Sequence, residues 1–420
     1  MLHFEVLVTP IPRAIAFDVN ARLDAFRVIV INGPRQSGKS TLLRQLAGER
    51  GGTYLSLDDR LLLDSARQDP GGFLDSVDGP IFLDEFQLGG DDLVRAIKVR
   101  VDSDQRPGRF VLAGSTQFLT VPTLSESLAG RASIVDLWPF SVGESQAKDE
   151  TFIDRAFDAM TGAWPTSTLM KKDYLELAAL GGFPGVHQLG SERLRRLWFG
   201  DYVRTVTQRD IRDISRARMI TQLPDLLRVL AARSGTELVI SNVAADAGFN
   251  PETLRDYLAL LETVYLFTPL RAWSRNLSSR VKHRPKVHLV DSGLVAALSG
   301  ATPLSLLQPT SVLAGGLLET FVVQELRKQT GWSETRPDMF HFRDRSGPEV
   351  DVILEAPDGR IVACEVKAGQ DAGAGDFRWL EYVRQRAGAS FVAGIVLHAG
   401  QRMVPFGDRL WAAPISLLWS

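Results

Sequence analysis

The sequence predicts an α/β protein in three parts. These are a three-layer domain around a parallel sheet (residues 1–147), a helical middle segment (171–300) and a second α/β unit (301–420). Three observations predict this. In the first part, apolar runs of strand length alternate with helix-like stretches, the pattern of a sheet covered by helices on both faces. A glycine-rich loop, Gly33–Ser40, joins one such run to a helical stretch. From Lys171 the apolar spacing turns helical, and strand-length runs return in force only after Thr302.

The strands of the first part are expected at Phe26–Ile31, Thr53–Leu57, Pro80–Leu83, Arg109–Ala113 and Ser133–Leu137. Each is a short continuous apolar run, as strands buried on both faces require. Between Lys148 and Thr168 polar residues accumulate and the pattern weakens, so a linker is expected there. The middle segment carries one strand-like run near Lys286–Val290. In the last part a helix over Leu317–Lys328 precedes strand runs at His341–Arg343, Glu349–Glu355, Ile361–Ala368 and Phe391–His398.

Gly33-Pro34-Arg35-Gln36-Ser37-Gly38-Lys39-Ser40 fits the spacing G-x-x-x-x-G-K-[ST]. The strand before it and the helix from Thr41 after it are the setting that motif needs. Glycines let backbone N–H groups turn toward phosphate oxygens, and the helix N-terminus adds positive potential. Lys39 would reach the β- and γ-phosphates of a nucleotide, and the Ser40 hydroxyl would ligate Mg²⁺. Pro80–Glu85 is an apolar strand ending in two carboxylates. Asp84 would anchor the ion and Glu85 would polarise the attacking water. Arg109–Gln117 is another buried strand with a polar end, where Ser115 or Thr116 would face the γ-phosphate or the water, unless the two only form a turn. Arg131 is a candidate for neutralising γ-phosphate charge, in cis or from a neighbouring subunit, or else a plain solvated arginine. No Asn-Lys-x-Asp guanine reader is present, which favours ATP.

Together, Gly33–Thr41, Leu83-Asp84-Glu85, Gly114-Ser115-Thr116-Gln117 and Gly130-Arg131 resemble the prokaryotic AAA-type P-loop ATPases. Gly181-Gly182-Phe183-Pro184, Gln208–Ile211, Pro285–Gly293 and Glu349–Lys367 resemble the same group, in which a C-terminal domain of unknown function follows the ATPase domain. The resemblance implies ATP and Mg²⁺ at the residues named above. It supplies no biological substrate, and no sensor arginine follows the ATPase core.

In the middle segment, Ser241–Gly248 reads as a helix capped by Ser241, Phe249-Asn250-Pro251 as a turn, and Glu252–Phe267 as a second helix. This is a helix-turn-helix pattern, made winged-helix-like by the strand run that follows. Its exposed face, with Glu252, Arg255, Asp256 and Glu262, is too acidic for reading bases, so a packing module is the favoured alternative. Next comes a basic run, residues 271–286, with Arg271, Arg275, Arg280, Lys282, Arg284 and Lys286 beside Trp273 and His283. It suits DNA or RNA phosphates with a stacking aromatic, or else a solvated loop or a surface for an acidic partner.

Glu349–Glu355, a turn at Pro357–Arg360 and Ile361–Lys367 read as a hairpin. An acid followed by Glu-x-Lys across a hairpin resembles the metal-dependent PD-(D/E)xK nuclease fold. That resemblance implies a second metal site at Asp351 and Glu365, with Lys367 steadying charge and Glu319 as an extra acid. Charges inside apolar strands call for a reason. A two-residue turn would point Asp351 away from Glu365, whereas a three-residue loop or a bulge would bring them to one face. The alternative is a retained fold with idle carboxylates, used for docking.

The net charge of −2 confines any nucleic-acid surface to a local patch. One cysteine, Cys364, excludes an internal disulfide and suits a cytoplasmic home, where it would be a small core residue. Neither a signal peptide nor a membrane span is expected, and a homo-oligomer is possible in principle because ATPases of this type complete their sites at subunit interfaces.

Overall fold

The computed structural model describes residues 11–115, 128, 130–211, 220–274, 280, 283–344 and 347–420. By contacts the chain divides into two compact units, Met1–Gly33 with Ser37–Asp149, and Pro34–Gln36 with Glu150–Ser420.

The first unit is built on five parallel strands: β1 (Val28–Asn32), β2 (Thr53–Ser56), β3 (Ile81–Asp84), β4 (Phe110–Ala113) and β5 (Ala132–Asp136). Their order is β2-β3-β4-β1-β5, so β4 separates the loop-bearing strand from the acidic one. β1, β3 and β4 are buried along their whole length, which is why their sequences are apolar up to the terminal Asn32 of β1 and Asp84 of β3. Helices α3 (Arg60–Gln68), α4 (Pro70–Asp75) and α5 (Gly90–Ser103) cover one face, burying Ala66, Phe73, Leu74, Leu93, Val94 and Ile97 against Val28, Val30, Leu83 and Leu112. Helices α1 (Ile15–Leu23) and α2 (Lys39–Arg50) complete the three layers, α1 packing on β1 and α2 on β2, β3 and β4. A short helix, α6 (Val142–Gln146), closes the unit with a capping box between Ser141 and Glu144.

In the second unit, helices α7 (Lys171–Leu180), α8 (Glu192–Thr205), α9 (Leu223–Ala232) and α13 (Leu313–Thr330) all pack on α12 (Ser292–Ser299). The stretch expected to be a linker contains a helix, Phe152–Phe157, whose Phe152, Ile153 and Phe157 are buried. Its apolar residues outweigh the polar ones around them once they have a surface to pack on. The helix-turn-helix pair is α10 (Ile240–Ala247) and α11 (Pro251–Thr263). Ser241 lies inside the first of these helices rather than capping it. The working cap is Asn250, which accepts from the Glu252 N–H ahead of Pro251.

The second sheet runs β10 (Val404–Pro405), β11 (Leu410–Pro414), β9 (Phe391–His398), β8 (Ile361–Lys367), β7 (Glu349–Glu355), β6 (Asp338–Arg343). β6, β7 and β8 form an antiparallel meander. β8, β9 and β11 are parallel, with α14 (Arg378–Ala387) crossing from β8 to β9. β7 and β8 each have a strand on both sides, and Asp351 and Glu365 on them are buried. Cys364 lies within β8, and burial pushes its thiol up to about 12, so it is a core residue and unreactive.

Candidate functional site

In the first unit, β1 delivers the loop at its C-terminal end. Gly33 is there for space, since a Cβ would stand 2.2 Å from the Leu137 carbonyl oxygen. Gln36 at φ 59° and Gly38 at φ 100° turn the backbone through the left-handed region before α2 begins. Lys39 is buried, and its Nζ donates to the Gly33 carbonyl at 2.9 Å, across the loop it belongs to. Ser37 is fully buried, and its hydroxyl has no hydrogen-bond partner among the described residues. Ser40 is half-buried and Thr41 exposed, both in the first turn of α2. A buried hydroxyl without a partner and a lysine folded onto the loop's own carbonyl are a donor set suited to phosphate.

Asp84 ends β3 two strands away, in register with Ala113 of β4 and, through it, Ile31 of β1. It is buried and accepts from the Tyr54 hydroxyl at 2.9 Å. Burial and that hydrogen bond push the Tyr54 hydroxyl above its usual range, and the Arg44 guanidinium lies over the tyrosine ring at 4.7 Å. Glu85 leaves the strand in a left-handed conformation, φ 50°, unusual for a side-chain-bearing residue. The Gln87 amide donates to Glu85 Oε2, and Ser115 Oγ stands 3.4 Å from the same oxygen. Ser115 thus joins Glu85 at the strand ends, while Thr116 and Gln117 lie outside the described residues.

Three supporting residues, Tyr54, Gln87 and Arg13, belong to no motif and were not expected at the site. Arg13 donates to both Glu144 carboxylate oxygens, to the Ser37 carbonyl at 2.7 Å and to the Trp138 carbonyl at 2.6 Å. A buried ion pair therefore holds the loop by its backbone. Arg131 is not brought to this site. It precedes β5, whose Ala132 is paired with Val28 at the opposite end of β1, and it forms an ion pair with Asp102 at 2.6 Å.

In the second unit, Glu319, Asp351, Glu365 and Lys367 do converge. The β7–β8 register pairs Val352 with Cys364 and Glu355 with Ile361, and Ala356 N–H donates to the Arg360 carbonyl. That makes Pro357-Asp358-Gly359 a three-residue loop. Carried one step on, the register sets Asp351 opposite Glu365, on the same face. Lys367 Nζ lies 2.8 Å from Glu365 Oε1, whereas the buried Glu365 Oε2 has no hydrogen-bond partner among the described residues. Burial, then the neighbouring Asp351, push the Glu365 carboxyl up to about 7. Burial does the same to Glu319, holding it well above the usual carboxylate range.

The centre of this cluster is a lysine. Lys286 Nζ lies 2.7 Å from Asp351 Oδ1, 2.9 Å from Glu319 Oε1 and 2.9 Å from Glu349 Oε1. Among the described residues no group of three or more His, Cys, Asp or Glu side chains is arranged to hold a metal ion. Of the carboxylates expected to form a second metal site, Asp351 and Glu319 are bridged by the Lys286 ammonium together with Glu349, while Glu365 pairs only with Lys367.

Lys286 also leaves the basic run, of which Arg280 and Trp273 are likewise turned inward. The Arg280 guanidinium is paired with Glu355 at 2.7 and 2.8 Å and lies over Phe340. Trp273 is buried, its ring edge-on to Phe342 and its Nε1 donating to Glu355. Arg271 and Arg284 are exposed, while Arg275 and Lys282 lie outside the described residues.

Residues 25–146 match the family described as AAA domain, residues 314–418 a domain of unknown function (DUF4143), and residues 171–305 a domain of unknown function (DUF8612). An uncharacterized protein of Mycobacterium tuberculosis is 26% identical over 343 residues, covering 81% of this chain and 70% of that one. An uncharacterized protein of Methanocaldococcus jannaschii is 23% identical over 353 residues, covering 80% and 74%. Among solved structures, a Walker-type ATPase of Pyrococcus abyssi is 17% identical, with a TM-score of 0.41 over 68% of this chain and 94% of that one. The RuvB Holliday junction branch migration motor of Thermotoga maritima is 18% identical, with a TM-score of 0.30 over 60% and 88%. No helix among the described residues is long and apolar enough to cross a membrane. With the parallel sheet, the glycine-rich loop and the acidic strand end, residues 25–146 form an AAA domain, carried in one chain with a DUF4143 domain over residues 314–418.

Proposed function

We propose that this chain is a Mg²⁺-dependent ATPase of the cytoplasm. The observation that carries the reading is a meeting of strand ends: the loop from Gly33 to Lys39, Asp84 and Glu85 after β3, and Ser115 after β4 share the C-terminal edge of one parallel sheet. Lys39 exchanges the Gly33 carbonyl for phosphate oxygens. Ser40 and Asp84 are the residues that would hold Mg²⁺, which when bound supplies positive charge against those oxygens. Glu85 takes up the proton of the attacking water once Gln87 and Ser115 release it, and Ser115 faces the γ-phosphate. Arg131 acts, in this reading, on the site of a second copy of the chain.

Turnover is proposed to drive a switch or scaffold rather than the cutting of nucleic acid. The observation favouring this over nucleic-acid handling is the commitment of Lys286, Arg280 and Trp273 to contacts inside the second unit. The test is ATP hydrolysis with and without Mg²⁺, and with and without single- and double-stranded DNA. Lys39→Ala is expected to lose ATP binding. Glu85→Gln is expected to bind ATP and to turn it over about 10²–10⁴-fold more slowly, the usual worth of a positioned base. Normal turnover by Glu85→Gln would reject the base assignment, and stimulation by DNA would return nucleic acid to the reading.

A further inference from the structure

The carboxylates of Glu349 and Asp351 on β7 and Glu319 on α13 present the ligand chemistry of a hard divalent cation, yet a side chain of the protein stands among them. Lys286 is 1% exposed. Its Nζ donates to Asp351 and Glu319, and a Glu349 oxygen lies 2.9 Å away. An ammonium group has three N–H donors, and three carboxylate oxygens surround this one. The spacing is that of N–H···O contacts, well beyond the roughly 2.0–2.1 Å at which Mg²⁺ holds oxygen.

The backbone fixes the lysine there. Lys286 N–H donates to the Leu270 carbonyl at 2.9 Å, and Leu270 N–H donates back at 3.1 Å. On its other side it bridges Glu237, and the Val287 N–H donates to the Thr236 carbonyl at 2.8 Å. Held from both sides, the backbone of Lys286 is fixed beside the carboxylates, and its buried side chain reaches them from there.

Access does not keep metal out. A cavity of about 590 Å³, lined by Thr236, Gly316, Glu319, Asp351, Glu365 and Lys367 among others, opens beside the cluster. The exclusion is electrostatic and steric, at the point where Glu319, Glu349 and Asp351 meet.

We infer that Lys286 stands permanently in the place of a divalent cation, closing the carboxylate cluster of the C-terminal domain to metal, and that removing its charge opens a divalent-cation site made of Glu319, Glu349 and Asp351. No metal-assisted hydrolysis occurs at these residues in the wild-type chain. The inference concerns the second unit alone and stands whether or not the first unit hydrolyses ATP.

The probe is Mn²⁺, titrated into the nucleotide-free full-length chain and counted by the loss of its free-ion electron paramagnetic resonance signal. Wild type and Asp351→Asn should bind the same number of ions. Lys286→Met should gain one equivalent, lost again on adding Glu319→Gln. If Lys286→Met is unfolded by circular dichroism, millimolar Mn²⁺ should refold it, because the carboxylates still need a cation. An ion bound by wild type and lost in Asp351→Asn would overturn the inference. So would a Lys286→Met chain that gains no ion, or an unfolded one that Mn²⁺ does not restore.

Discussion

At Arg13 a single guanidinium holds the phosphate-binding loop in shape. It reaches the Ser37 and Trp138 carbonyls and both oxygens of Glu144, and its side chain is 6% exposed against 2% for Glu144. Breaking a buried pair leaves an uncompensated charge and costs about 3–5 kcal/mol. Arg13→Ala is therefore expected to lower stability by that amount in urea unfolding, and to weaken ATP binding because the loop loses the donor on its Ser37 carbonyl. Unchanged ATP affinity in a folded Arg13→Ala chain would reduce the pair to a structural role. His341 makes a prediction of another kind. Its Nε2 donates to the Arg284 carbonyl at 3.0 Å, and burial drops its pKa to about 4. The folded value lies below the unfolded one, so the neutral ring contributes stability fully above pH 6.5, and that stability drains away as pH falls toward 4. The gap corresponds to roughly 3 kcal/mol at most. A His341→Gln chain should lose less stability than wild type between pH 7 and pH 4.5, and parallel losses would reject the assignment. Neither residue's part was legible in the sequence. Arg13 and Glu144 are separated by 131 positions, and a pairing at that distance leaves no local pattern.

Motifs that look functional can be structural at the level of elements. Gly181-Gly182-Phe183-Pro184 and the stretch ending Val290-Asp291-Ser292-Gly293 meet in the second unit. Asp291 caps α12 by accepting from the Leu294 N–H at 3.1 Å, and it accepts from the Gly182 N–H at 2.7 Å. Gly181 has φ 73°, and a Cβ on it would lie 2.1 Å from Asp291 Oδ1. Gly181→Ala thus forces strain or displaces a buried carboxylate from its two donors. The expected cost is about 2–4 kcal/mol, read as a drop in urea midpoint at constant slope. A loss under about 0.5 kcal/mol would mean that the turn can shift freely. The strands themselves were legible, because a strand buried on both faces is mostly apolar: Phe391–His398 falls where its apolar run does, and Glu349–Glu355 is apolar inside its ends except for Asp351. The face on which Asp351 lies was not, because it depends on whether the hairpin loop has two or three residues, and both suit Pro-Asp-Gly. β11 escaped notice because Leu410–Pro414 is too short to stand out from the apolar stretch that follows it.

For the molecule as a whole, the sheet is a ruler that separates Arg131 from the loop. Ala132 pairs with Val28 and Asp136 with Asn32, so Arg131 stands about five residues, roughly 16 Å, from the loop end of β1. An arginine side chain does not span that distance. Its ion pair with Asp102, at the far end of α5, draws it the same way. If Arg131 serves ATP hydrolysis at all, it serves the site of another copy, and the active unit is an assembly. Arg131→Ala and Glu85→Gln should then each be inactive alone and partly active when mixed. A mixed interface can pair the intact Glu85 of one chain with the intact Arg131 of the other. Turnover per chain in the wild type should likewise rise with protein concentration until assembly is complete. A mixture as inactive as its components, together with turnover per chain that is constant on dilution, would show that each site is complete within one chain. Arg131 would then be a surface residue whose business is Asp102.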